Sequence, residues 1–171
     1  MSKMFRFGVV VATASSAADW TQKARRIEDL GFSTLVMPDG LQRTLSVFPA
    51  LAAAAAATRV LRVGTYVLAN DYRHPVMVAR EASTLDLVSG GRFELGIGAG
   101  RPTAAEDYAA LGQSFDAGGV RVQRLAEALR LIKPMLAGER VDFEGTHYQV
   151  SGASASPGPV QTPLPIMIAA S

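Results

Sequence analysis

The stretch Leu61–Arg101, LRVGTYVLANDYRHPVMVAREASTLDLVSGGRFELGIGAGR, constrains the fold more than any other part of the chain. Two apolar, β-prone runs, Arg62–Leu68 and Phe93–Ile97, flank one amphipathic helix. Strands joined through a helix pair in parallel, because a tight turn can only reverse the chain, and both faces of such a sheet are buried. Parallel α/β folds gather their chemistry at the carboxyl ends of the strands. Here those ends are Leu68–Arg73 and Gly98–Arg101.

The same rhythm extends in both directions. Phe5–Val11 reads as a buried first strand, and Ser16 with Asp19 three residues on resembles a capping box. Trp20, Ala24, Ile27 and Leu30 recur at helical spacing before Gly31 stops the helix. Thr34–Met37 is a second strand closed by Pro38-Asp39-Gly40, and alanine-rich Phe48–Thr58 is a tightly packed helix. Pro75 suits a first helical position, Val78, Ala82 and Leu85 form a buried stripe, and Gly90-Gly91 ends it. Beyond Arg101 come a short helical piece around Ala104–Leu111 and a long helix marked by Val122, Leu125, Leu129, Ile132 and Leu136. A hairpin of Val141–Phe143 and Tyr148–Val150, a Ser/Gly/Pro-rich linker over Ser151–Pro163, and a fifth strand at Pro165–Ala169 complete the chain. Repeated βα units favour a (βα)8 barrel or an open doubly wound sheet. A full barrel takes ~250 residues, so the 171 residues here supply four βα units and one strand.

Composition removes several function classes. Apolar residues make up 49% of the chain, which excludes a disordered protein. Cysteine is absent, so disulfides, iron–sulfur clusters, thiol nucleophiles and cysteine zinc sites are excluded, and a cytoplasmic setting is expected. The formal charge of +2 is spread without a basic stripe, so no nucleic acid partner is expected, and no run is long enough to span a membrane. Lys3, Arg6 and the apolar run Phe7–Ala12 imitate a secretion leader; the run is short and a capped helix follows at once, which favours a first strand.

The candidate site residues sit at strand ends. Gly96-Ile97-Gly98-Ala99-Gly100 lets backbone N–H groups approach a ligand, or relieves crowding within a barrel. A dinucleotide fingerprint needs a third glycine where Arg101 stands, which argues against NAD. Arg101 can pair with a phosphate or an acidic substrate. Asp39 lies in Pro-Asp-Gly, which is both an ordinary turn and a strand-end position. His74, just before a helix, is the one conventional acid–base candidate near these ends, although a histidine so placed more often hydrogen-bonds locally near the helix start. His147 in the hairpin reads as structural, and the two histidines have no metal-ligand spacing, so no metal is expected. Glu81 and Asp86 read as scaffold ion-pair partners, while Glu106 and Asp107 can border the pocket.

At these residues the chain resembles the luciferase-like flavin and deazaflavin oxidoreductases, in particular their coenzyme F420-dependent branch. The segments ARRIEDLGFSTLVMPDG, LRVGTYVLANDYRHPVMVAREASTLDLVSGGRFELGIGAG, RVQRLAEALRLIKPMLAGERVDFEGTHYQV and PVQTPLPIMIAAS carry the resemblance by their order and spacing. It implies an α/β fold that is a partial TIM (βα)8 barrel, the first four βα units plus strand 5 with parallel strands, over residues 1–171 as one domain incomplete at its carboxyl end. It implies F420, or alternatively FMN, at the strand ends, and hydride transfer to or from a small-molecule substrate. Carried over, Asp39 matches an aspartate near the deazaflavin, Tyr66-Val67 a strand-3 bulge that often has a non-proline cis peptide, and Gly98-Ala99-Gly100 the loop near the cofactor; Asn70 and Arg101 would shape the polar surroundings. Relatives that oxidise sugar phosphates with F420 have histidine where Gly40 stands and glutamate where Arg101 stands, which sets that reaction apart from this chain. Relatives also continue through strands 5 to 8. A half-complete sheet leaves an exposed edge, so a homo-oligomer is expected, and a non-catalytic, self-associating barrel fragment is the reading from another class.

Overall fold

The computed structural model describes residues 5–42 and 44–169; Lys3, part of the leader-like pattern, and the terminal Ser171 lie outside them. In chain order the strands are β1 Gly8–Val10, β2 Thr34–Met37, β3 Arg62–Thr65, β4 Leu68–Ala69, β5 Phe93–Gly98, β6 Val141–Glu144, β7 Gln149–Ala153 and β8 Ile166–Ala169. The helices are α1 Ala17–Asp29, α2 Val47–Ala57, α3 Pro75–Val88, α4 Ala105–Ala110 and α5 Gly118–Leu136.

The main sheet is parallel throughout, with β1 beside β2, β2 beside β3, and β3 beside β5. β5 then pairs with β8 on its other side. β4 continues the line of β3 and pairs with the far end of β5, with Leu68 opposite Ile97 and Ala69 opposite Gly98. The expected third strand is therefore one strand broken at Tyr66-Val67, whose peptide bond is cis. This is the α/β architecture of a partial (βα)8 barrel, and β6–β7 stand apart as an antiparallel hairpin.

Burial explains which runs became strands. Leu35, Met37, Val63, Phe93, Leu95 and Ile97 are wholly enclosed, and α1, α2, α3 and α5 lay Trp20, Ile27, Leu51, Val78, Leu85, Ile132 and Met135 against the same core. Burying each large side chain contributes about 1.5–3 kcal/mol. Trp20 also donates its indole N–H to the Ala50 carbonyl at 2.8 Å, tying α1 to α2. Two expectations fail. β1 is shorter than Phe5–Val11 and is largely exposed, because among the described residues it has one neighbour, β2; Val10 is 55% exposed. Leu30 and Val122 likewise fall outside the core stripes of their helices.

Carboxylates fasten the amino ends of the strands. Glu28 accepts three backbone N–H bonds, from Arg59, Val60 and Leu61, at the entry to β3. Burial alone would raise its carboxyl, yet these bonds hold it below the usual range. Asp86, wholly buried, accepts from the Val160 and Gln161 amides and from the Gln161 side chain, pinning the approach to β8. The expectation that Asp86 is an ion-pair partner is thus corrected: α3 points it at a linker whose amides supply the hydrogen bonds. Glu81 makes no ion pair among the described residues either; one of its carboxylate oxygens is buried without a partner, and burial raises its carboxyl while Arg73 opposes the rise.

Candidate functional site

At the opposite end of the sheet, β2, the β3–β4 break and β5 deliver their carboxyl ends to one cavity of about 210 Å³. Its walls include Asp39, Tyr66, Val67, Gly98, Ala99, Gly100 and Arg101. Seven of the cofactor-binding candidates are therefore brought together. Asn70 and His74 are absent from its lining and lie one layer further along, as set out below.

Asp39 is held from two sides. Its nearly buried carboxylate receives Arg73 in two bonds of 2.6 and 3.2 Å, and the Ala69 amide donates to it at 3.1 Å. A bidentate fork fixes orientation as well as charge. The guanidinium in turn lies over the Phe48 ring, 5.8 Å from its centroid. Arg101, exposed at the rim, makes no ion pair among the described residues, so its charge is available to a ligand.

Two glycines of the β5 run answer to packing. A Cβ at Gly96 would stand 2.2 Å from the Thr65 carbonyl oxygen, and one at Gly98 would stand 2.9 Å from that of Ala169 and 3.0 Å from a Val67 methyl. Neighbouring backbone is that close because β5 is flanked by the broken β3–β4 strand on one side and by β8 on the other. Gly100 has φ +83°, where glycine is at home, and faces the Tyr108 hydroxyl. Crowding thus accounts for glycine at 96 and 98, and of the two Gly98 lines the cavity.

Two tyrosines and their carboxylates form the partition behind this cavity. Tyr72 donates to Asp107 at 3.2 Å, Tyr108 donates to Asp71 at 3.1 Å, and the rings meet edge to face with centroids 5.3 Å apart. Burial, then the neighbouring carboxylates, push both phenols far above their usual range. They remain neutral donors. Neither acidic residue lines the cavity: Asp107 is buried behind Tyr72 as the acceptor of its hydroxyl, and Glu106 is exposed on α4.

Beyond the partition lies a second, more polar cavity of about 460 Å³, to which Asp71, Arg73, His74, Asp116, Arg124 and Tyr148 contribute. Arg124 spans Asp71 at 2.6 Å and Asp116 at 2.5 Å. Buried Asn70 donates to Asp71 at 3.1 Å and to the Tyr148 hydroxyl at 3.2 Å. His74 caps α3, its Nδ1 accepting the Val76 N–H at 3.3 Å, and its ring meets Tyr148 edge-on. Sequence reasoning missed Arg73, Tyr72 and Arg124; Arg73 adjoined a flagged residue, but Arg124 sits 53 positions from its partner Asp71, a pairing that no local spacing announces.

A parallel βα sheet whose strand ends converge on a ligand-sized cavity defines a barrel-type α/β protein. More particularly, the chain belongs to the luciferase-like monooxygenase family, whose profile matches residues 2–171. It is 36% identical over 152 residues to the F420-dependent glucose-6-phosphate dehydrogenase of Microbacterium testaceum, a match covering 84% of this chain and 44% of that protein. Among solved structures it superposes with TM-score 0.84 on the coenzyme F420-dependent tetrahydromethanopterin reductase of Methanopyrus kandleri, at 22% identity over 96% of this chain and 50% of the other. A type II Baeyer–Villiger monooxygenase component of Pseudomonas putida, solved with FMN, matches with TM-score 0.77 at 18% identity, over 95% of this chain and 51% of the other. The chain therefore spans about half the length of the proteins it matches.

Proposed function

We propose that the strand-end cavity is the binding place of a deazaflavin of the F420 type, and that the protein is an F420-dependent oxidoreductase acting on a small molecule. The observation that carries this reading is the convergence of Asp39, Tyr66, Val67 and Gly98–Arg101 on one cavity. The residues suit such a group. A flat ring system asks for an apolar wall, which Val67, Leu68 and Ala69 offer, and a phosphorylated side chain asks for an unspent cation, which Arg101 offers. When bound, the deazaflavin supplies hydride transfer at its ring carbon. The chain's part is to orient and shield: the Asp39–Arg73 pair fixes the β2 end, and Tyr72 and Tyr108 stay protonated as a partition. For proton exchange His74 has only Nε2 left, since Nδ1 is engaged with α3.

Glycine at position 40 and arginine at 101 support a substrate other than the sugar phosphate of the Microbacterium relative. The absence of cysteine supports a cytoplasmic setting, and no helix among the described residues is long and apolar enough to cross a membrane. FMN is the rival cofactor, favoured by the FMN-bound neighbour. Titrating the protein with F420 and, separately, with FMN while following cofactor fluorescence tests the proposal. Saturable binding tighter for F420 supports it; preference for FMN replaces it with the monooxygenase reading; binding of neither removes the catalytic reading. A second reading, a self-associating non-catalytic barrel segment, is favoured by the exposed Phe7, Val10, Met167 and Ile168 along the two sheet margins. Sedimentation tests it: a monomer at all concentrations counts against association.

A further inference from the structure

The second cavity differs from the first in how its hydrogen bonds are spent. Both oxygens of each of its carboxylates are engaged from within. Asp71 receives Asn70, Tyr108 and Arg124, and Asp116 receives Ser114 and Arg124. Its donors are not. His74 accepts the Val76 N–H at Nδ1, which leaves Nε2 as its donor, and no partner among the described residues takes that N–H. Tyr148 accepts from Asn70, and among the described residues its own O–H is unspent. Arg124 commits one N–H from each terminal nitrogen and Arg73 likewise, leaving N–H groups over on both. An excess of donors over acceptors in a cavity asks for a ligand made of acceptors.

We infer that this cavity is a distinct subsite for a small oxyanion, a carboxylate or a phosphate group, gripped by His74 Nε2–H and the Tyr148 hydroxyl with Arg73 and Arg124 behind them. The two rings pack edge to face, with centroids 5.5 Å apart, and both residues line this cavity. His74 acts here as a hydrogen-bond donor, held in that tautomer by the helix it caps. The subsite is separated from the strand-end cavity by the Tyr72–Tyr108 partition, and the inference stands whether or not a deazaflavin occupies that cavity.

Titration of the protein with inorganic phosphate and with malonate tests this by nitrogen-15 NMR. Either probe should move the side-chain signals of His74 and Arg124 together with the Val76 amide, saturably. Phosphate and malonate arms distinguish the two sources of the oxyanion. Tyr148→Phe removes one donor and keeps the ring; His74→Ser keeps a cap for α3 but cannot reach the cavity. Each should weaken binding about tenfold, the worth of one donor to a charged group. Overturning results are no saturable shift with either probe, shifts confined to Arg101, or affinities unchanged in both variants while their NMR spectra remain those of the folded protein.

Discussion

The two ends of the parallel sheet use the same chemical group in opposite ways. At the amino ends, Glu28 and Asp86 are gripped by backbone amides, which cannot swing away without unfolding the strand they belong to. At the carboxyl ends, Asp39, Asp71 and Asp116 are gripped chiefly by the side chains of Arg73 and Arg124, which can change partners by rotating; one backbone amide, that of Ala69, also reaches Asp39. The first arrangement is a scaffold. The second can exchange an internal partner for a ligand without loss of fold, which is what a binding end requires.

Mutations at the two ends should separate stability from binding. The largest effect is expected for Asp86→Ala, which strands the Val160 and Gln161 amides and the Gln161 side chain; a loss of about 3 kcal/mol should appear in urea denaturation. Glu28→Gln should cost about 1–2 kcal/mol, read the same way. It should also change the acid limb. In the folded chain the Glu28 carboxyl lies below its usual value, so its stabilisation is complete above the unfolded value near ~4.3 and is lost as pH falls through the lower folded one. The parent should therefore lose stability over that acid range more steeply than the glutamine variant. Arg73→Lys replaces a two-pronged contact to Asp39 with a single one; the expected cost is about 1 kcal/mol in stability, with weaker F420 binding in the fluorescence titration. Smallest in stability is Arg101→Gln, within about 0.5 kcal/mol, while F420 affinity should fall about tenfold if the rim cation meets the cofactor's phosphate. Equal stability losses at both ends would erase the distinction drawn here.

Much of the scaffold was legible in the chain. Periodicity placed α1, α3 and α5, and the apolar runs placed β2 and β5, because burial on both faces leaves continuous hydrophobic signatures. The shortness of β1 was not legible, since its residues have strand character and what they lack is a second neighbour. The capping box was half right: the Ser16 hydroxyl accepts the Asp19 amide, but the Asp19 carboxylate reaches back to Ser15 rather than to Ser16, and with Lys23 that holds it down at about 2. Pro38-Asp39-Gly40 admitted both a turn and a site reading. What decides the geometry of Asp39 is Arg73, 34 positions away, and that pairing exists only once β2 and β3 lie side by side.

The margins of the sheet carry a last consequence. Among the described residues β1 has a single neighbour, β2, and β8 has a single neighbour, β5. Any strand that extends the sheet at β8 in the same direction cannot arrive by a hairpin; its chain must first climb back over the outer layer, and it will do so with a right-handed sweep. Growth of this architecture is thereby rationed to whole turns of the winding, each adding one more tip to the rim where ligands would be met.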